Sequence, residues 1–66
     1  MDQKEVLKFI ELQGYRTLKE IHAHFEKEDQ EILDAILIAL TERHGVRKLA
    51  YESIDGKSYL FCILPK

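Results

Sequence analysis

The sequence has almost no cysteine and no excess of positive charge. Its single cysteine, Cys62, excludes a disulfide bond within the chain. Small secreted domains normally rely on several disulfide bonds, so we expect an intracellular, cytoplasmic protein. Twelve acidic residues against ten Lys and Arg give a net charge of −2. This balance lacks the basic excess that is typical of nucleic-acid-binding domains, although charges can still segregate onto separate faces.

Long apolar runs and catalytic motifs are missing as well. The longest apolar run, residues 35–40, is too short to span a bilayer, and residues 1–5 do not resemble a signal peptide. There is no phosphate-binding loop, dinucleotide fingerprint or paired-carboxylate motif. A chain of 66 residues also closes only a small core, without a deep substrate pocket. We therefore expect a binding domain that is not an enzyme, has no small-molecule substrate and does not insert into a membrane.

The histidines and the cysteine do not form a recognisable metal site. His22 and His24 are two residues apart, so on a helix they point about 200° apart and cannot hold one ion together. His44 and Cys62 match no known ligand spacing. Cys62 lies in an apolar segment, where a cysteine is typically a small core residue. We predict no metal and no other cofactor.

The first part of the chain has the pattern of two helices. Residues 2–13 form the first predicted helix, in which Asp2 followed by Glu5 resembles a capping box and the apolar stripe includes Leu12. Gly14 ends this helix, because glycine adopts a left-handed conformation at low cost. Residues 15–16 are then a short extended link. Thr17-Leu18-Lys19-Glu20 is a capping box and predicts the start of a second, short helix.

A third helix is predicted from Asp29, as its N-cap, to about Arg43, with Gly45 ending it. Its predicted buried stripe consists of Ile32, Leu33, Ile36, Leu37 and Leu40. The opposite face contains Glu31, Asp34, Ala35, Ile38 and Glu42. This outward face is therefore expected to be mainly acidic and apolar.

The last part of the chain predicts a β-hairpin with strands at residues 46–52 and 57–64. Asp55-Gly56 between them favours a two-residue type I′ turn. The resulting register pairs Ile54 with Lys57, Glu52 with Tyr59, Ala50 with Phe61, and Leu49 with Cys62. Both faces are apolar: one has Leu49, Tyr51, Leu60, Cys62 and Leu64, and the other has Ala50, Ile54, Tyr59, Phe61 and Ile63.

This order of elements resembles the winged helix-turn-helix superfamily over residues 2–64. The resemblance is carried by Thr17-Leu18-x-x-Ile21-x-x-x-Phe25, Leu33-x-x-x-Leu37-x-x-Leu40, Gly45-Val46 and Asp55-Gly56. It implies an α+β fold, with a three-helix bundle followed by a C-terminal hairpin, or wing, in one domain over residues 1–66.

Residues 18–49 also resemble the small FeoC-type accessory proteins of ferrous iron uptake. Many of those carry several cysteines in the wing, proposed to hold an iron–sulfur cluster. An iron–sulfur cluster needs several thiolates, so Cys62 alone does not support one within a single chain.

The superfamily resemblance implies a DNA-binding transcriptional regulator whose third helix enters the major groove of double-stranded DNA. The predicted nucleic-acid contacts come mainly from the wing and its root, and they are Gln30, Arg43, Arg47, Lys48 and Lys57. The acidic outward face of the third helix argues against ordinary groove reading, because phosphates repel carboxylates.

The alternative is a winged helix used for protein–protein contacts, as a homodimer or an accessory subunit that does not bind DNA. The acidic third helix and the two apolar faces of the hairpin favour it. Its predicted interface residues are Ile38, Tyr59, Phe61 and Ile63. Only the frequency with which this fold binds DNA places the regulator first, so both functions stay open at the level of the sequence.

Overall fold

The computed structural model describes residues 1–63 and has an α+β fold with three helices and a three-stranded antiparallel sheet. In chain order the elements are α1 (Gln3–Glu11), β1 (Tyr15–Thr17), α2 (Leu18–His24), α3 (Gln30–Arg43), β2 (Val46–Ser53) and β3 (Gly56–Ile63). The predicted order of elements is confirmed for these residues. Leu64, the predicted end of the last strand, lies outside them. Within residues 1–63, no helix is long and apolar enough to cross a bilayer.

Each helix begins at the side-chain cap that the sequence predicts. The carboxylate of Asp2 accepts a hydrogen bond from the backbone N–H of Glu5 at 3.0 Å. Thr17 and Glu20 form the complete capping box, in which each side chain bonds to the backbone of the other residue. Asp29 accepts from two backbone N–H groups in the first turn of α3. These bonds satisfy amides that would otherwise have no partner, which is why the helices start where they do.

The start of α2 is tied to α1 by the half-buried Arg16. Its Nε donates to the backbone carbonyl of Phe9 at 3.0 Å, and its Nη1 lies 3.3 Å from the Glu20 carboxylate. Its guanidinium also lies 4.0 Å from the centre of the Phe9 ring. Hydrogen bonds from the Thr17 backbone N–H and hydroxyl, with a smaller effect of Arg16, lower the pKa of the Glu20 carboxyl below its ordinary value.

We expect Glu20→Gln to destabilise the protein at neutral pH and much less in acid. Because the folded pKa is lower than the unfolded one, the contribution of Glu20 is fully present above the unfolded pKa and is lost as the pH falls through the folded pKa. The difference in Tm between wild type and variant should therefore shrink below about pH 4. Thermal melts followed by circular dichroism measure it, with the exposed Glu26→Gln as control. A difference in Tm that does not change with pH would contradict the expectation.

The three strands lie in the order β1-β3-β2, so β3 is central. The hairpin pairs Glu52 with Lys57, Ala50 with Tyr59, and Leu49 with Leu60. The predicted register is therefore wrong by two residues. A shift of two leaves every side chain on its predicted face of the sheet, because side chains alternate with a period of two.

The shift in register arises at the turn, because the prediction placed the turn one residue too late. Ile54 and Asp55 form the loop between paired Ser53 and Gly56. A type I′ turn requires positive φ at both central residues, whereas Gly56 alone in this hairpin has a positive φ, of 114°. The type I′ prediction is therefore wrong, and Gly56 instead takes its unusual conformation at the first position of β3.

The core lies between the helices and one face of the sheet. It consists of Val6, Ile10, Ile21, Phe25, Leu33, Ile36, Leu37, Leu40, Val46 and Phe61. Two residues of the predicted apolar stripes are exposed: Leu12 is 80% exposed and Ile32 is 53% exposed. Leu12 follows the end of α1, and Ile32 lies at the border of an α3 stripe that is narrower than predicted.

Candidate interaction site

The outward face of α3 combines carboxylates with one large aliphatic side chain. All five residues predicted for this face are exposed: Glu31, Asp34, Ala35, Ile38 and Glu42. The one basic residue of α3, Arg43, occupies its last position. Because carboxylates repel phosphates, this face has the wrong charge to lie in a DNA groove.

Gln30, predicted to contact nucleic acid, holds the turn between α2 and α3. Its side-chain amide nitrogen lies 3.1 Å from the carbonyl oxygens of both Phe25 and Glu28 and donates to them. These carbonyls follow the end of α2, where the backbone lacks helical partners. The amide donors of Gln30 are thus engaged within the chain.

The four predicted basic contacts, Arg43, Arg47, Lys48 and Lys57, are all exposed. The ion pairs found within residues 1–63 involve other side chains. Arg47 and Lys48 are consecutive in β2, so they point to opposite faces of the sheet. Arg47 is paired with Cys62, and Lys48 is paired with Phe61 on the face that packs against the helices. Arg47 and Lys48 therefore do not belong to one common surface.

A groove of about 380 Å³ opens where α2, α3 and the hairpin meet. Its apolar lining residues are Leu18, Leu37, Ile38, Tyr59 and Phe61. Its polar lining residues are His22, Asp34, Thr41 and Lys48. Leu37 and Phe61 are core residues, so they form the bottom of the groove, whereas Ile38 and Tyr59 stand at its rim.

The two sides of the groove differ in charge. On the helical side, Nε2 of His22 lies 3.2 Å from the Asp34 carboxylate. On the hairpin side, Nζ of Lys48 lies 4.3 Å from the centre of the Tyr59 ring, a cation–π contact that stabilises exposed pairs by about 0.5–1 kcal/mol. The groove is thus acidic along α3 and basic along β2.

His24 does not share the surroundings of His22. Its ring stacks on Phe9 with 4.0 Å between the ring centres and packs edge-on against Phe25. Among residues 1–63, no three His, Cys, Asp or Glu side chains lie together in a way that could hold a metal ion. Both histidines instead make contacts that a folded domain uses for packing and surface pairing.

The predicted partner residues divide between the groove and the core. Ile38 is 56% exposed and Tyr59 is 38% exposed, and both line the groove. Ile63 is half-buried and packs against the core. Phe61 is only 3% exposed, so it is mainly a core residue and reaches the groove only at its bottom. The reason is that the helices cover the hairpin face that carries Phe61, which the prediction left open to a partner.

The sheet face turned away from the helices is the exposed apolar face that sequence reasoning did not select. Across the three strands it carries Tyr15, Leu49, Tyr51, Leu60 and Cys62, all exposed or half-buried. Cys62 therefore lies on this face and outside the core, contrary to the prediction. Both faces of the hairpin are apolar in sequence, so the alternation of side chains could not predict which face packs against the helices.

Comparison with known proteins returned no matching family model, no matching curated protein and no matching solved structure.

Proposed function

We propose that the chain is a winged-helix domain that binds a partner protein in the groove between α2, α3 and the hairpin. The proposal rests on one observation: the large apolar side chain of Ile38 is exposed at the groove. The helix that carries it, α3, has no basic residue before Arg43 at its last position. The order of the helices and the pairing of β1 with β3 support the winged helix. The resemblance of residues 18–49 to FeoC-type proteins supports an accessory role.

The partner segment should be an amphipathic helix with basic residues beside its apolar face. A helix in a groove presents side chains at i, i+3, i+4 and i+7, which suits an open apolar depression of this size. Each leucine-sized side chain that leaves water there contributes about 1.5–3 kcal/mol. Asp34, next to Ile38, favours a basic residue of the partner. The three exposed carboxylates of the outward α3 face, Glu31, Asp34 and Glu42, outnumber Lys48, the one lysine that lines the groove.

DNA binding is the second candidate. It is favoured by four exposed basic residues that have no ion-pair partner within residues 1–63: Arg43, Arg47, Lys48 and Lys57. It ranks second because α3 is acidic and because Arg47 and Lys48 point to opposite faces of the sheet. A DNA-binding regulator would therefore contact phosphates with only some of these four basic residues.

We expect the protein to select basic amphipathic helices from a library of synthetic helical peptides that differ in net charge. Ile38→Asp should abolish this binding, because it places a charge in the apolar groove. Ile32→Asp is the matched control, since Ile32 is an equally exposed isoleucine of α3 that does not line the groove. Fluorescence anisotropy of labelled peptides measures the affinity, and chemical shifts of Leu37 and Tyr59 locate the binding.

Peptide binding that is equal in wild type and Ile38→Asp, or a preference for acidic peptides, would sink the groove proposal. The same anisotropy assay with mixed-sequence duplex DNA at low salt tests the second candidate. Duplex binding that weakens steeply with salt and is lost in Arg43→Ala and Arg47→Ala would move the function to DNA.

A further inference from the structure

We propose that β2 pairs with β2 of a second copy of the chain, so that two sheets join into one antiparallel sheet of a homodimer. β2 is an edge strand with eight residues, Val46–Ser53, and its side chains are exposed after the first residue. It contains no proline. An edge of this length presents a row of backbone donors and acceptors that another strand can use.

The direction of the free backbone groups follows from one hydrogen bond. Ile63 of β3 donates its backbone N–H to the Gly14 carbonyl, on the β1 side. Bonding direction alternates along an antiparallel strand, so Cys62, Leu60 and Ser58 bond towards β2. The backbone N–H and C=O groups of their partners in β2 therefore point towards β3. The backbone groups of the β2 residues in between point away from the sheet. Those outward-facing residues are Lys48, Ala50 and Glu52.

These outward-facing groups can pair with those of a second copy in a register in which a twofold axis passes between the two Ala50 residues. Two copies of Ala50 then lie opposite each other, and Lys48 of each copy lies opposite Glu52 of the other. The three pairs exchange about six backbone hydrogen bonds. Alanine on the axis leaves room for close approach of the strands. On the other sheet face, the same register sets Leu49 opposite Tyr51 of the second copy.

The charges of β2 favour this register. Many edge strands are protected from self-pairing by charges that repel a second copy. Here Lys48 and Glu52 have opposite signs on the same face of the strand, so antiparallel self-pairing brings unlike charges together twice. Neither residue forms an ion pair within residues 1–63. The edge is therefore complementary to itself.

The test reverses these charges one at a time and then together. We expect wild type to dimerise at micromolar to submillimolar concentration, since a strand pair buries less than the roughly 1,600 Å² of a standard interface. Lys48→Glu and Glu52→Lys should each weaken the dimer by about ten- to a hundredfold, because two attractive pairs become repulsive. The double variant K48E/E52K should recover the dimer. Sedimentation equilibrium measures the mass over the concentration range.

Mixing the two single variants gives a second readout that does not depend on their stability. A chain with Lys48→Glu faces a chain with Glu52→Lys through two unlike pairs, so an equimolar mixture should form heterodimers while each variant alone stays monomeric. Arg47→Glu is the matched control, because Arg47 faces the neutral Ser53 in this register and its reversal should leave the dimer intact. A monomeric wild type at all concentrations, or a dimer that no reversal at Lys48 or Glu52 disturbs, would overturn the proposal.

Discussion

Phe61→Ala is expected to leave the protein largely unfolded at room temperature. Phe61 is 3% exposed in the central strand β3 and belongs to the core between helices and sheet. Truncation of a buried phenylalanine costs about 3–5 kcal/mol, because apolar contacts are lost and a cavity remains. The core of a domain this small rarely supplies more than about 3–5 kcal/mol of net stability. Urea unfolding followed by circular dichroism measures the loss.

Tyr59→Ala is the matched control for this prediction. Tyr59 lies two residues away on the same face of the same strand, but it is 38% exposed at the rim of the groove. Its replacement removes the contact with Lys48 and should cost about 1 kcal/mol. Similar losses for the two variants would mean that Phe61 does not lie in the core between the hairpin and the helices.

The helices were predictable because their signals are local. Each start depends on a cap within three or four residues, as in Asp2 with Glu5 and Thr17 with Glu20, and Gly14 and Gly45 follow the helices that they end. The physical cause is contained in a short segment, so no knowledge of the tertiary fold was needed.

The hairpin register was not determined by the local sequence. Asp55-Gly56 suits a type I′ turn, but it equally suits a turn at Ile54-Asp55 followed by a glycine with positive φ. The two registers differ by two residues and put the same side chains on the same faces, so the hydrophobic pattern cannot choose between them. Only the pairing along the whole of β2 and β3 decides.

Some residues of the candidate site could be predicted from the sequence, but the groove in which they meet could not. Ile38 and Tyr59 could be named because one stands alone on a polar helix face and the other on an apolar strand. Their meeting with Lys48 in one groove depends on how the hairpin lies against α3, which is a long-range packing outcome. The same packing decided that Phe61 is covered and that the Leu49 face is not.

The losses of folding free energy in Leu33→Ala and Ile32→Ala are expected to differ by several kcal/mol. The two residues are neighbours, and both belong to the predicted buried stripe. Leu33 has no exposed surface, so its truncation should cost about 2–5 kcal/mol. Ile32 is 53% exposed, and alanine has the higher helix propensity. The loss for Ile32→Ala should therefore be about 0.5 kcal/mol or less. Urea unfolding curves of both variants, with equal slopes, give the comparison.

A loss of 2 kcal/mol or more in Ile32→Ala would contradict the narrow buried stripe of α3. It would mean that this helix is rotated about its axis, with Ile32 turned into the core. Rotation of a helix moves all of its faces together, so Ile38 and Asp34 would then leave the positions that form the groove. A neutral Ile32→Ala is therefore also the condition under which Ile32→Asp is a fair control for Ile38→Asp in the peptide-binding experiment.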